Sequence, residues 1–183
     1  ILAAGYESGD VRIWDCELTK ELRGAPIRHN AKVLSMTFSP DGKVLLTTGA
    51  DHMARFWNPM TGKSVGISAL HHRSDVFRAA FSPDGRFVAS VSEQAAQLWD
   101  STTSIGPNLP HLGNVYCLAF HPSGRELVTA GDAGADAGRK WTIPAPMLGD
   151  PSTLMREIEM KTGLHMTVDE SIIPLSLDEW QQR

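Results

Sequence analysis

The chain has 183 residues, a net charge of −4 and 42% hydrophobic residues. This composition is typical of a globular protein with a sizeable core, and it argues against disorder and against a general nucleic-acid binder. No apolar run approaches the roughly 18 residues of a membrane span, and no charged-then-apolar signal segment opens the chain. The sequence therefore predicts no membrane insertion and no nucleic-acid partner, and it favours a cytoplasmic location.

The two cysteines, Cys16 and Cys117, lie far apart and lack the spacing of metal ligands. We expect both thiols to be reduced and to pack as small apolar side chains. The adjacent His71 and His72 are also poor metal ligands, because adjacent side chains diverge on any regular element. No metal and no cofactor is predicted.

Three markers recur along the chain in the same order. The first is a tryptophan every 43, 42 and 42 residues, at Trp14, Trp57, Trp99 and Trp141. The second is a turn phrase, "FSPDG" at 38 and 81 and "FHPSG" at 120. The third is a histidine upstream of each phrase and four residues before a valine, at His29, His72 and His111. Their common period indicates an internal repeat.

The unit between His29 and His72 predicts four short strands. Segments 32–38, 43–48 and 53–57 are apolar and β-prone, and a weaker fourth strand is expected near 64–67. The intervening "SPDG" suits a tight turn, because Pro pre-sets φ, Asp bonds nearby backbone and Gly supplies a positive φ. Four short strands per unit of roughly 40–45 residues are typical of a propeller blade.

The first strand of each unit departs from strict alternation. Val33 and Met36 are three residues apart, and the same gap separates Val115 from Leu118. Alternation would give a gap of two, so the spacing predicts a β-bulge near the start of this strand.

These residues resemble the WD40 repeat family. Trp14-Asp15 and Trp99-Asp100 carry its name-giving dipeptide, whereas Trp57 precedes Asn and Trp141 precedes Thr. The resemblance implies an all-β fold, a partial β-propeller of about three and a half four-stranded blades. The blades are expected at 1–22 (a half-blade), 29–67, 72–106 and 111–142, followed by a tail at 143–183 with one or two short helices.

The resemblance also assigns the repeated markers to the blade structure. A histidine before the first strand, an aspartate six residues before the tryptophan, a strand Ser or Thr and the tryptophan can form a hydrogen-bonded network. Asp51 fits, with His29, Thr47 or Thr48, and Trp57 as partners, while the other copies have Ser8, Glu93 and Ala135 instead of the aspartate. We therefore expect structural roles for His29, Asp51, Trp57, His72, Trp99, His111, Trp14 and Trp141, and at most one full network.

In this family, the positions three and five residues after the histidine point out of the propeller face. The corresponding residues are Lys32, Leu34, Asp75, Phe77, Asn114 and Tyr116. Aromatic side chains in a polar setting suit recognition of a protein or peptide. The alternative is that these strands only pack against neighbouring blades.

The tail carries the whole net charge, with seven acidic and three basic residues in 143–183. Asp150, Pro151 and Gly163 predict the ends of a helix over 150–163, and a second short helix is expected at 176–180. The tail either covers the last blade, in which case deleting 148–183 would lower the melting temperature, or it docks a partner. The blades and tail together also resemble the C-terminal ends of long bacterial WD40 proteins of the planctomycete kind, many of which are fused to an upstream Ser/Thr protein kinase domain.

No catalytic motif appears in the sequence. "GDAGADAG" lacks the Lys-Ser/Thr of a phosphate-binding loop, and neither a nucleophile elbow nor a zinc-protease motif is present. The sequence predicts a non-catalytic protein-interaction or scaffold module of a bacterial multidomain signalling protein. The alternatives are a purely structural array and an enzyme that uses the propeller channel. Further blades of the same chain or self-association are expected to cover the open sheet faces.

Overall fold

The computed structural model describes residues 1–17, 20–22, 24, 26–66, 69–100, 103–104, 109–132 and 138–143, and the two strands 164–166 and 172–174. The chain forms two compact units, Ile1–Ile143 and Pro144–Arg183. All regular elements of the described residues are β-strands.

The first unit contains four antiparallel sheets in chain order. The first sheet holds β1 (Leu2–Gly5), β2 (Asp10–Asp15), β3 (Lys20–Glu21) and β4 (Ile27–Arg28). The second holds β5 (Val33–Phe38), β6 (Leu45–Gly49), β7 (Met53–Trp57) and β8 (Leu70–His71). The third holds β9 (Arg78–Phe81), β10 (Phe87–Ser92), β11 (Ala95–Asp100), β12 (Thr103–Ser104) and β13 (Leu109–Pro110). The fourth holds β14 (Val115–Phe120), β15 (Glu126–Gly131) and β16 (Gly138–Thr142).

Each sheet packs face to face on the next through an apolar cluster. Ile13 of the first sheet meets Leu45 of the second, and Phe56 of the second meets Val88 of the third. Leu98 joins the third sheet to the fourth. Consecutive four-stranded antiparallel sheets that bury their facing sides form part of a β-propeller, so the predicted fold class is confirmed.

The repeated turns have the predicted chemistry. Ser39 Oγ donates to Asp41 Oδ1 over 2.6 Å, and the Val44 amide donates back to Ser39 Oγ. Gly42 has φ 71°, a left-handed conformation that glycine adopts without steric cost. Ser82 and Asp84 form the same 2.6 Å bond in the third sheet.

The predicted bulge is present where β5 and β14 begin. In the β5–β6 pair, the pairing register skips one residue between Val33 and Ser35. It does the same between Val115 and Cys117 in the β14–β15 pair. The unpaired residues are therefore Leu34 and Tyr116. In the third sheet, β9 begins only at Arg78, directly after the equivalent Phe77.

The outer strand of the second sheet differs from the prediction for residues 64–67. Ser64 forms a single bridge with Trp57, and β8 pairs with the other end of β7, at Met53 and Ala54. Gly66 has φ 65°, which is incompatible with continuous extended pairing. The same division recurs in the first sheet, where β3 and β4 pair with opposite ends of β2.

The expectation that both cysteines pack in the interior is wrong. Cys16 and Cys117 are free and exposed. Cys16 lies in the turn after β2, beyond the strand that faces the core. Cys117 lies on β14 next to the bulge, with its Sγ 4.0 Å from Arg78 Nη1 of the third sheet.

In the second unit, β17 (Leu164–Met166) pairs antiparallel with β18 (Ile172–Pro174). This pair was not predicted, because three-residue segments are too short for periodicity to distinguish. The predicted helices at 150–163 and 176–180 lie outside the described residues. The described part of the chain contains no helix with the length and apolar character of a membrane span.

Candidate functional site

The repeated histidine joins each sheet to the next one. Its backbone N–H donates to the carbonyl of a left-handed residue in the turn of its own sheet. The pairs are His29 with Gly9, His72 with His52, and His111 with Gln94, at 2.9, 3.0 and 2.9 Å. Its ring lies against the following sheet, where it contacts or bonds the strand residues described below.

In the second sheet, the histidine ring belongs to a complete network. His29 Nδ1 donates to Asp51 Oδ1 over 2.8 Å, and Trp57 Nε1 donates to Thr47 Oγ1 over 2.8 Å. Thr47 therefore uses its own hydrogen to bond His29 Nε2, 2.7 Å away. Gly49 leaves room for this network, since a Cβ there would lie 2.6 Å from His29 Nδ1.

Asp51 is held ionised inside this network. Burial alone would raise its pKa, but hydrogen bonds from Arg55, His29 and the Asn30 amide lower the pKa to about 2. Arg55 Nη2 lies 2.9 Å from Asp51 Oδ2. Burial lowers the pKa of His29 by more than the neighbouring Asp51 raises it. The neutral ring, with its hydrogen on Nδ1, is therefore the form that agrees with the observed hydrogen bonds.

In the third and fourth sheets, the described residues show parts of this network. In the fourth, Thr129 accepts from Trp141 Nε1 over 2.7 Å and bonds His111 Nε2 over 2.8 Å. In the third, Ser90 accepts from Trp99 Nε1, but no described residue forms a hydrogen bond with the buried His72 Nε2. Burial, and then the neighbouring His71, lower the pKa of His72 to about 4.

These networks are buried between sheets, which favours a structural role for their histidines and aspartate. Within the described residues, no three His, Cys, Asp or Glu side chains are grouped to hold a metal ion. The side chain of Asp51 is 7% exposed, and its lone pairs are already used by three donors. Such a carboxylate has little access to a substrate.

The six residues expected on the partner-binding face fall into three groups. Lys32 Nζ bonds Glu7 Oε1 over 2.6 Å, and Asp75 Oδ1 lies 3.4 Å from His52 Nε2. Leu34, at the first bulge, is half-buried.

The third group brings Phe77, Asn114 and Tyr116 together. The rings of Phe77 and Tyr116 lie 5.1 Å apart and tilted by 50°, with Tyr116 45% exposed and Phe77 packed partly on the core. Tyr116 Oη donates to Asp132 Oδ2 over 3.2 Å, and Asn114 Nδ2 lies 3.4 Å from the same oxygen. We call Phe77, Asn114, Tyr116 and Asp132 the aromatic patch.

Sequence reasoning missed Asp132 in this patch. The Asp132 amide donates to the Asn114 carbonyl, and Gly131 pairs with Val115 across β14 and β15. The pairing register of the two strands would have placed Asp132 beside Asn114, because residues that follow a paired position lie opposite each other.

Comparison with known proteins agrees with the repeats. The family profile described as "WD domain, G-beta repeat" matches residues 19–58, 63–100 and 107–135. Eukaryotic translation initiation factor 3 subunit I of Anopheles gambiae is 26% identical over 146 residues, which are 71% of this chain and 44% of that protein.

Two shorter similarities involve other proteins. Coronin-like protein crn1 of Schizosaccharomyces pombe is 33% identical over 67 residues, 37% of this chain and 11% of that protein. Human apoptotic protease-activating factor 1 is 35% identical over 71 residues, 35% of this chain and 6% of that protein. The chain thus spans less than half the length of each of these relatives. Because the profile covers more than half of the chain, the chain belongs to the WD40 repeat family.

Proposed function

We propose that this chain is a protein-interaction module whose partner binds at the aromatic patch. WD40 domains typically mediate protein–protein interactions and are generally non-catalytic. The observation that carries the proposal is the exposed Tyr116 ring, held against Phe77 at the bulge of β14.

The patch has the features of a recognition anchor. Tyr116 is 45% exposed yet fixed at both ends, by the Phe77 ring and by the Asp132 carboxylate. A fixed aromatic ring loses little conformational entropy when a partner covers it. Aromatic residues with a polar rim contribute most of the free energy at many interfaces.

The experiment is a selection of peptides on the full chain, followed by affinity measurement with two variants. We expect Tyr116→Ala to weaken the selected peptides by about tenfold or more, the loss typical of an interface anchor. Tyr6→Ala is the matched control, because Tyr6 is 41% exposed but lies in the first sheet. Equal binding by both variants would contradict the proposal and favour a purely structural array.

We also propose that the module is non-catalytic and belongs to a longer bacterial signalling protein with an upstream kinase domain. The buried state of Asp51 supports the first part, and the resemblance to long bacterial WD40 proteins supports the second. Sequencing the coding region upstream of Ile1 tests the second part. A reading frame that lacks kinase motifs would overturn it.

A further inference from the structure

The third sheet contains a polar cavity of about 450 Å³ beside the buried His72 ring. Four of its wall residues stand at the positions of the second-sheet network. They are His72, Arg73, Glu93 and Gln97, in the places of His29, Asn30, Asp51 and Arg55. The cavity is therefore the counterpart of the space that the Asp51 carboxylate fills one sheet earlier.

Among the described residues no carboxylate fills this space, and a shorter turn explains why Glu93 does not. Trp57 is eight positions after Gly49, whereas Trp99 is only seven positions after the equivalent Ser92. Glu93 is exposed, and its backbone amide donates to Ser74 Oγ over 3.3 Å. Among the described residues, His72 has no hydrogen bond to any carboxylate.

The walls of the cavity suit an anion. Among the described lining residues there are two imidazoles and a guanidinium, from His71, His72 and Arg73, and one carboxylate, from Glu93. Asp75, in the same loop, lies 3.4 Å from His52 and is engaged there. The Ser92 hydroxyl adds another hydrogen-bonding group to the wall.

We propose that this cavity binds a carboxylate, supplied by an acidic side chain of a protein partner. That carboxylate does for His72 what Asp51 does for His29: it accepts hydrogen bonds from the ring and from the residue that follows it. This inference rests on the proposed function for the nature of the partner, but the cavity is separate from the aromatic patch. A charge-assisted bond to His72 and Arg73 would select an acidic side chain over its amide.

The first test follows the imidazole resonances of the full chain by NMR during titration with acetate at constant ionic strength. We expect the His72 signals to shift with saturation, while those of His29 and His111, already bonded within the protein, stay in place. Acetamide should produce no such shift, because it lacks the charge. A His72 response no larger than that of His29 would overturn the proposal, and an equal response to phosphate would overturn the selectivity for carboxylates.

The second test uses a blocked Ala-Glu-Ala tripeptide. We expect it to bind at least tenfold more tightly than acetate, because a peptide backbone adds contacts at the loop, and Ala-Gln-Ala to bind at least tenfold more weakly than Ala-Glu-Ala. A tripeptide no tighter than acetate would mean that the site takes free small carboxylates, which contradicts a protein partner.

Variants separate the site from the rest of the molecule. Arg73→Gln should weaken acetate about tenfold through loss of the charged donor. Glu93→Asp and Gln97→Arg, combined with one glycine inserted after Ser92 to restore the turn length, place the Asp51–Arg55 pair in the third sheet and should abolish the acetate response. Tyr116→Ala should leave the response unchanged, so failure of the aromatic patch and failure of the cavity give different results.

Discussion

At the scale of single residues, stability of the sheet contacts depends on whether a buried polar group has its partner. Asp51 has three hydrogen-bond donors, whereas His72 Nε2 has no hydrogen-bond partner among the residues that the structure describes. An unpartnered buried polar atom costs free energy that a hydrogen bond would offset. The two sites therefore differ in their response to mutation, and they lose stability in different pH ranges.

Asp51→Asn should destabilise the protein by about 2–4 kcal/mol, because it leaves Arg55 and the His29 ring without their carboxylate. Urea unfolding at neutral pH measures the loss. Glu93→Gln is the matched control, since the side chain six residues before Trp99 is exposed, and it should cost less than about 0.5 kcal/mol. Equal effects would mean that the network does not stabilise the fold.

The pH dependence of stability should carry the signature of His72. Its pKa is about 4 in the folded chain, below the ordinary value of 6.5, so the unfolded chain takes up the proton first. The contribution of neutral His72 to the free energy of unfolding is therefore fully present above pH 6.5. It decreases as the pH is lowered towards 4, by roughly 3 kcal/mol in total.

His72→Phe keeps a ring against Trp99 and removes the titration. Between pH 6.5 and 4, the free energy of unfolding should therefore fall more steeply for the parent than for the variant when both are measured in carboxylate-free buffer. Parallel curves would show that His72 does not control this range. Asp51 acts only at lower pH, between its ordinary value near 3.8 and its folded value near 2.

At the scale of elements, a hydrogen bond to one left-handed residue ties the turn to the end of the outer strand in each of the first three sheets. Gly9, His52 and Gln94 have φ of 88°, 63° and 58°, and each carbonyl accepts the amide of a repeated histidine. Glycine adopts this conformation freely, whereas histidine and glutamine do so at a cost of about 1 kcal/mol.

Gln94→Gly should therefore raise the free energy of unfolding by about 1 kcal/mol, because it removes backbone strain at an exposed side chain. Gly9→Ala is the opposite change: its Cβ would meet the His29 and Ala31 carbonyls, so we expect a loss. Chemical denaturation of both variants checks the pair. Destabilisation by Gln94→Gly would show that its side chain contributes more than its conformation costs.

At the scale of the first unit, the two terminal sheets have different free faces. Ile13, Phe56 and Leu98 occupy equivalent third-strand positions and are buried between sheets. Lys140 takes this position in the fourth sheet, where its Nζ lies 3.0 Å from Glu126 Oε1. The first sheet instead exposes Ile1, Leu2 and Tyr6.

Self-association of the chain should therefore proceed through the first sheet. Leu2→Glu is expected to shift sedimentation towards the monomer, since it places a charge on the apolar face. Val128→Glu, on the fourth sheet beside Lys140, should have little effect. A monomeric parent at high concentration would contradict the expectation of self-association, and an equal shift by both variants would contradict the choice of face.

The sequence by itself determined the repeat, the order of strands and the bulge. The predicted strand 53–57 and the observed β7 have the same bounds. Turn residues on both sides limit the short alternating segment to a single pairing register. The three-residue gap between Val115 and Leu118 was sufficient to predict the bulge, since side chains of a regular strand alternate with a period of two.

Only the tertiary structure decided which polar groups meet. Thr47 and Thr48 are neighbours in sequence, but strand parity points only Thr47 at Trp57 and His29. The left-handed Gly66 that divides an outer strand, the exposure of Cys117 and the cavity beside His72 all depend on how one sheet meets the next. Periodicity describes one strand at a time, whereas burial and hydrogen-bond partners are set by packing between residues far apart in the chain.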